Sequence, residues 1–83
     1  MLIHSPKELA LFVINQRKIL KLSQAEIGKR VGLKQKTISA FENKPEGSKL
    51  ETLFLIISAV NSSMSLSNKD ASNANKTQWK QEW

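Results

Sequence analysis

The feature that most limits this chain is the punctuation between Leu22 and Asn43. Ser23-Gln24-Ala25-Glu26 is a capping box. Its serine side chain can accept from a backbone N–H that a first helical turn leaves free, and its glutamate can reach back. Ile27 and Val31 follow one turn apart, and Gly32 then ends the run. Glycine enters the left-handed conformation of a helix C-terminus at little cost. A second run, from Lys34 or Gln35 to Glu42, turns Ile38 and Phe41 inward. The spacing therefore predicts two short helices, over about 24–31 and 34–42, crossing at a glycine turn. Ala25 is the small residue expected where they cross, with Ile27, Val31, Ile38 and Phe41 holding the crossing against the neighbouring helices.

Helices are also predicted on either side. Ser5-Pro6-Lys7-Glu8 is a second capping box with proline at the first helical position, and Leu9, Phe12, Val13, Gln16 and Leu20 continue at helical spacing to about Lys21. Asn43-Lys44-Pro45-Glu46-Gly47 reads as a loop. Ser48-Lys49-Leu50-Glu51 is a third box, opening a helix to about Val60 whose apolar set is wider than one face needs. The surplus suits packing on a second subunit. After a break at Asn61-Ser62-Ser63, Met64-Ser65-Leu66-Ser67 alternates like a half-buried strand. One such strand is unstable alone, so it either pairs with its copy in a homodimer through Met64 and Leu66 or is an irregular end. From Asn68 to Trp83 the chain is polar and without apolar period, which predicts a tail disordered when free. Trp79 and Trp83 stand in it.

The charge is concentrated. The net charge is +6, and residues 17–44 carry eight basic side chains against two acids, so the whole excess lies on that segment. The bland reading is a solvated surface. The functional one is a footprint for a polyanion. Outward positions of the second motif helix are Lys34, Gln35, Lys36 and Ser39. Glutamine pairs bidentately with adenine and lysine donates to guanine acceptors, so these four are the candidate base readers in a major groove. Ser23 and Gln24, at the start of the first motif helix, would lie at phosphates, where backbone N–H groups favour anions. Ser23 also serves as an N-cap, and Lys34, Gln35 and Lys36 outside such a motif would read as an ordinary solvated face.

The chain holds no cysteine, which excludes disulfides and thiolate metal sites. Nothing in it pairs a nucleophile with a histidine base, sets two carboxylates at catalytic spacing, cradles phosphate with glycines or clusters metal ligands. The expectation is a non-enzyme that needs no cofactor and no metal; His4 stands alone without a special role. No apolar run approaches a membrane span of roughly 18 residues, and the first residues do not resemble a secretory leader. A cytoplasmic, nucleoid-associated protein is expected.

The stretch Leu22 to Asn43, with Gln24-Ala25-Glu26, Val31-Gly32 and Ile38-Ser39-Ala40-Phe41-Glu42-Asn43, resembles the phage-repressor (Cro/CI, or XRE) helix-turn-helix family over about residues 12–60. That resemblance implies an all-α, compact, lambda-repressor-like domain of four to five helices, to which the alternation at 64–67 adds a short C-terminal strand pairing across a homodimer. It also implies an Arg17–Glu42 pair inside the domain, so Arg17 is structural before it is a phosphate ligand, and it puts Thr37 and Asn43 at phosphate unless they only cap or close the loop. A closer resemblance covers nearly the whole chain. The apolar Leu33, then Lys34-Gln35-Xaa-Thr37-Ile38-Ser39-Xaa-Phe41-Glu42-Asn43-Xaa-Pro45, with Ser5-Pro6, Ser63-Met64-Ser65-Leu66 and the ending Glu82-Trp83, are similar to HipB antitoxins. These are homodimeric repressors that bind HipA-type serine/threonine-kinase toxins and repress their own operon with them. The resemblance implies toxin contact by Trp83; with the residue pattern it gives palindromic operator DNA as a second partner, a domain over 1–67 and a free tail over 68–83. Lys36 departs from the pattern, so the operator read can differ, and Trp79 has no counterpart. A plain regulator, phage or chromosomal, without a toxin partner is the alternative, and a protein-interaction module with a basic face is another.

Overall fold

Serine, proline and glutamate start the first helix as the sequence predicts. In the computed structural model, which describes residues 2–69, α1 spans Pro6–Ile19. The Ser5 side chain accepts from the Glu8 N–H at 3.1 Å. The second half of the box goes elsewhere: the Glu8 carboxylate accepts from the His4 N–H, one residue upstream of the cap. Ser23 and Glu26 close a full box at the start of α2 (Gln24–Val31). Helix α3 is Gln35–Asn43, with Lys34 as its N-cap, and α4 is Leu50–Ala59.

The loop between α3 and α4 contains a 3-10 turn, Pro45–Gly47, and this overturns the third capping box. Ser48 closes that turn by donating its N–H to the Pro45 carbonyl at 3.0 Å, so Lys49 becomes the N-cap of α4 and no side chain caps it.

Among the described residues, three of the four helices end in a left-handed residue, and only one of the three is glycine. They are Lys21 at φ 59°, Gly32 at 75° and Asn61 at 58°. After α1, Leu22 N–H donates to Arg17 O at 3.1 Å and Lys21 N–H to Lys18 O at 3.0 Å. After α4, Ser62 donates to Ile57 O and Asn61 to Ser58 O in the same pattern. These paired bonds satisfy carbonyls the helix leaves free, and they hold a side-chain-bearing residue where the backbone favours glycine. Lys21→Gly should therefore raise stability by about 0.5–1 kcal/mol, read as a shift of the urea midpoint at constant slope.

The core draws on all four helices: Ala10, Val13, Ile27, Ile38, Phe41, Ile56, Ala59 and Val60 form one buried cluster. Leu9, Phe12, Leu20, Leu22, Val31, Leu33 and Leu53 pack around it. An eight-residue helix such as α2 is too short to be stable by itself, so this shared core is what fixes the angle between α2 and α3. The close approach at that crossing is made by Gly28 and not by Ala25. Ala25 is exposed, whereas Gly28 is buried with the Leu33 carbonyl against it. A Cβ on Gly28 would overlap that oxygen and stand 3.2 Å from its carbon.

Two apolar surfaces lie open on the single chain. Leu50 is 68% and Phe54 53% exposed on α4, the apolar surplus of that helix. No strand is present among the described residues: 62–68 have no regular structure, and Met64 and Leu66 are 41% and 93% exposed. A strand whose partner is another chain has nothing to pair with in one protomer.

Candidate nucleic-acid interface

Helix α3 is fixed from within by Ile38 and Phe41, both essentially without solvent contact, so its opposite side is held rigidly outward. Lys34, Gln35 and Lys36 are exposed there, at the N-cap and the first two helical positions. Ser39, one turn on, is half-buried. No side chain caps the N-terminus of α3. The early N–H groups and the positive end of the helix are thus left for a partner, beside two lysines.

The candidates are more tightly coupled than their spacing suggests. Arg17 donates from Nε to Glu42 Oε2 at 2.8 Å and from its second terminal nitrogen to Oε1 at 3.0 Å. Its remaining terminal nitrogen donates to the Leu22 carbonyl at 3.1 Å, so the guanidinium is occupied inside the domain, as the resemblance implied. Gln24 donates from Nε2 to Glu42 Oε1 at 2.8 Å, and Gln35 donates from Nε2 to Gln24 Oε1 at 2.6 Å. One continuous line of polar contacts therefore runs from α1 through α3 and α2 to the outermost candidate. Its acid is matched by Arg17 and nearly buried, so it presents little negative charge to a phosphate backbone.

Ser39 and Asn43 also form a unit. Asn43 Nδ2 donates to the Ser39 carbonyl at 2.9 Å and to Ser39 Oγ at 3.2 Å, so Asn43 closes the last turn of α3 and the Ser39 hydroxyl keeps its proton to donate outward. Thr37 is half-buried, and its backbone N–H bonds Lys34 O at 2.9 Å. Ser23 is exposed at the α2 cap. Glu26 there is held below its ordinary value of 4.5 first by the Ser23 backbone N–H, then by the Ser23 hydroxyl, with smaller contributions from Arg30 and Lys29.

The basic segment divides in two. Lys18, Lys21, Lys29, Lys34, Lys36 and Lys44 are exposed. Arg17 is paired, and Arg30 donates to Ala59 O at 3.0 Å and to Asn61 Oδ1 at 3.3 Å, tying α2 to the end of α4. The sequence reading missed Arg30 as a tie and Gln24 as a partner of Glu42. Both contacts join residues 18 or more positions apart, which no local pattern encodes. Trp83 lies outside the described residues.

A model of the helix-turn-helix family matches residues 13–66, which contain all the candidate DNA-contacting residues from Ser23 to Asn43. Antitoxin HipB of Escherichia coli is 39% identical over 82 residues, covering 98% of this chain and 93% of the relative. This chain belongs to the HipB antitoxin family. Two solved structures carry the likeness into three dimensions. HipB in a complex with the O4 20mer matches at a TM-score of 0.80 and 38% identity, over 83% of this chain and 97% of that one. HipB in the HipA–HipB–O2–O3 complex matches with the same figures. Beyond HipB, antitoxin HigA1 of Mycobacterium tuberculosis is 49% identical over 41 residues, 49% of this chain and 28% of the relative. The likeness to HigA1 thus involves about half of this chain, whereas that to HipB involves nearly all of it.

Proposed function

We propose that this HipB-family protein is a homodimeric operator-binding repressor and the antitoxin of a HipA-type serine/threonine kinase, autoregulating the operon of the pair. The observation that carries the DNA half is the rigid, basic outer side of α3, with Lys34, Gln35 and Lys36 exposed over a core-anchored inner side. In this reading Lys34, Gln35, Lys36 and Ser39 meet base edges, and Ser23, Gln24, Thr37 and Asn43 meet phosphate. Two copies place their α3 helices about one turn of DNA apart, roughly 34 Å, on a palindrome. Occupancy of the operator is sufficient for repression, so the protein needs no catalysis of its own.

Residues 1–67 then make up the DNA-binding and dimerisation domain, with Met64 and Leu66 at the dimer interface, where both are exposed in the single chain. Residues 68–83 form the tail, and Trp83 contacts the toxin; tryptophan is enriched in binding hot spots and costly to leave in water. None of the helices is long and apolar enough to cross a membrane among the described residues, in keeping with a cytoplasmic, nucleoid-associated site of action.

Gln35→Ala should lower the preference for one base pair per half-site by about 1–3 kcal/mol while leaving binding to random DNA nearly intact, as measured by gel shift on point-substituted operators. Equal loss on specific and random DNA would remove Gln35 from base reading. For the antitoxin half, co-expression with the product of the adjacent gene should give a co-purifying complex that is lost on deletion of Trp83, with operator binding unchanged. Recovery of the complex at wild-type yield without Trp83 would exclude that contact.

A further inference from the structure

We infer that the Glu42 carboxylate sets which way the Gln35 amide faces the DNA, acting through Gln24, and so is a specificity-determining positioning residue. The inference rests on Gln35 reading a base.

Donor and acceptor inventories decide which way each amide faces. An amide has an oxygen end and a nitrogen end of similar shape, and either can be turned outward at little steric cost. A carboxylate paired with a guanidinium only accepts, and Glu42 takes two donated bonds from Arg17. Gln24 must therefore turn its nitrogen toward Glu42, which it does at 2.8 Å, and this leaves its oxygen directed at Gln35. Gln35 must answer with its own nitrogen, at 2.6 Å. One N–H and the Oε1 of Gln35 remain unspent. That donor and acceptor, side by side, are the complement of the N7 and N6 positions of adenine. Reversal of Gln24 would set acceptor against acceptor in its part-buried contact with Glu42, and reversal of Gln35 would do the same in its exposed contact with Gln24.

Arg17 and Glu42 are nearly enclosed, with side chains 15% and 6% exposed, so neither needs to touch DNA to act in this way. Gln35 is exposed and has three rotatable side-chain bonds, and without this anchor its amide would sample both orientations before each encounter.

The test replaces the ion pair by apolar residues of similar size, Arg17→Met with Glu42→Leu, which removes the polarising carboxylate without leaving a charge buried. Affinity is measured on the operator and on variants substituted at the base pair that Gln35→Ala identifies. Wild type should discriminate at that pair by roughly tenfold or more, and the double variant by less than about threefold, with affinity for random DNA unchanged. In the free proteins, the Gln24 and Gln35 side-chain amide protons should be dispersed and slowly exchanging in wild type, and merge with those of solvated glutamines in the double variant. Full discrimination by the double variant, or wild-type amide protons that already exchange freely, would overturn the inference and leave base reading by Gln35 intact. A Gln35→Ala variant that changes preference at no base pair would overturn both. Should the double variant fail to fold, Gln24→Met keeps the Arg17–Glu42 pair and decides the matter by the Gln35 amide protons alone: merger supports the relay and retention overturns it.

Discussion

Replacing Glu42 alone by leucine should lower the stability of the domain by about 3 kcal/mol, because it leaves a nearly buried guanidinium without its anion. The bond to the Leu22 carbonyl would hold Arg17 in place and prevent it from escaping to solvent. The Arg17→Met, Glu42→Leu double variant should fall within about 1 kcal/mol of wild type, since apolar side chains of similar volume can replace an ion pair of this kind. Urea denaturation of the single and double variants makes the comparison. A single variant as stable as the double would show that the pair behaves like a solvated surface bridge, worth little. The contrast matters for function, because it separates what the pair does for folding from what Glu42 does for the two glutamines.

A comparable loss, about 3 kcal/mol, should follow Gly28→Ala, with a melting temperature lower by roughly 10–20 °C for a domain of this size. The cause is space and not conformation. The chain leaving α2 folds back so that the Leu33 N–H bonds the Gly28 carbonyl at 2.8 Å, and the Leu33 carbonyl comes to rest where a Cβ would stand. Backbone cannot swing aside as a flexible side chain would, so α2 and α3 must part, and the angle that presents α3 changes. Gly32→Ala is the control: nothing lies within 4 Å of a Cβ there, and its cost, about 1 kcal/mol, comes from φ 75°. Operator binding by Gly28→Ala should drop further than its folded fraction accounts for. A variant melting within a few degrees of wild type would show that the crossing has slack.

Local signals located most of the elements. Ser23 and Glu26 announced α2, Ser5-Pro6 announced α1, and the 3.6-residue period of Ile27, Val31, Ile38 and Phe41 placed the inner sides of the motif helices. These succeed because caps and amphipathic periods are made by residues within one or two turns of each other. The misreadings share a different cause. Ser48 looked like an N-cap until the 3-10 turn at Pro45 claimed it. Ala25 looked like the small residue at the crossing because size is visible in a sequence and depth is not. Lys21 and Asn61 gave no sign of their left-handed backbone, since the bonds that impose it form only when α1 and α4 end where they do.

The outward trio Lys34, Gln35 and Lys36 was legible from residue types, which is why the basic helix between Lys34 and Phe41 could be read as a groove-binding element from the sequence alone. The line of contacts from Arg17 through Glu42 and Gln24 to Gln35 was not. It joins three helices across separations of 25, 18 and 11 residues, and each bond exists only because a shared apolar core brings those helices together. The sequence by itself determined the helices, their inner sides and the chemistry offered to DNA, because those follow from short-range periodicity. Only the tertiary structure decided which polar groups spend their bonds on one another and which remain for a partner, because that depends on distances between residues remote along the chain.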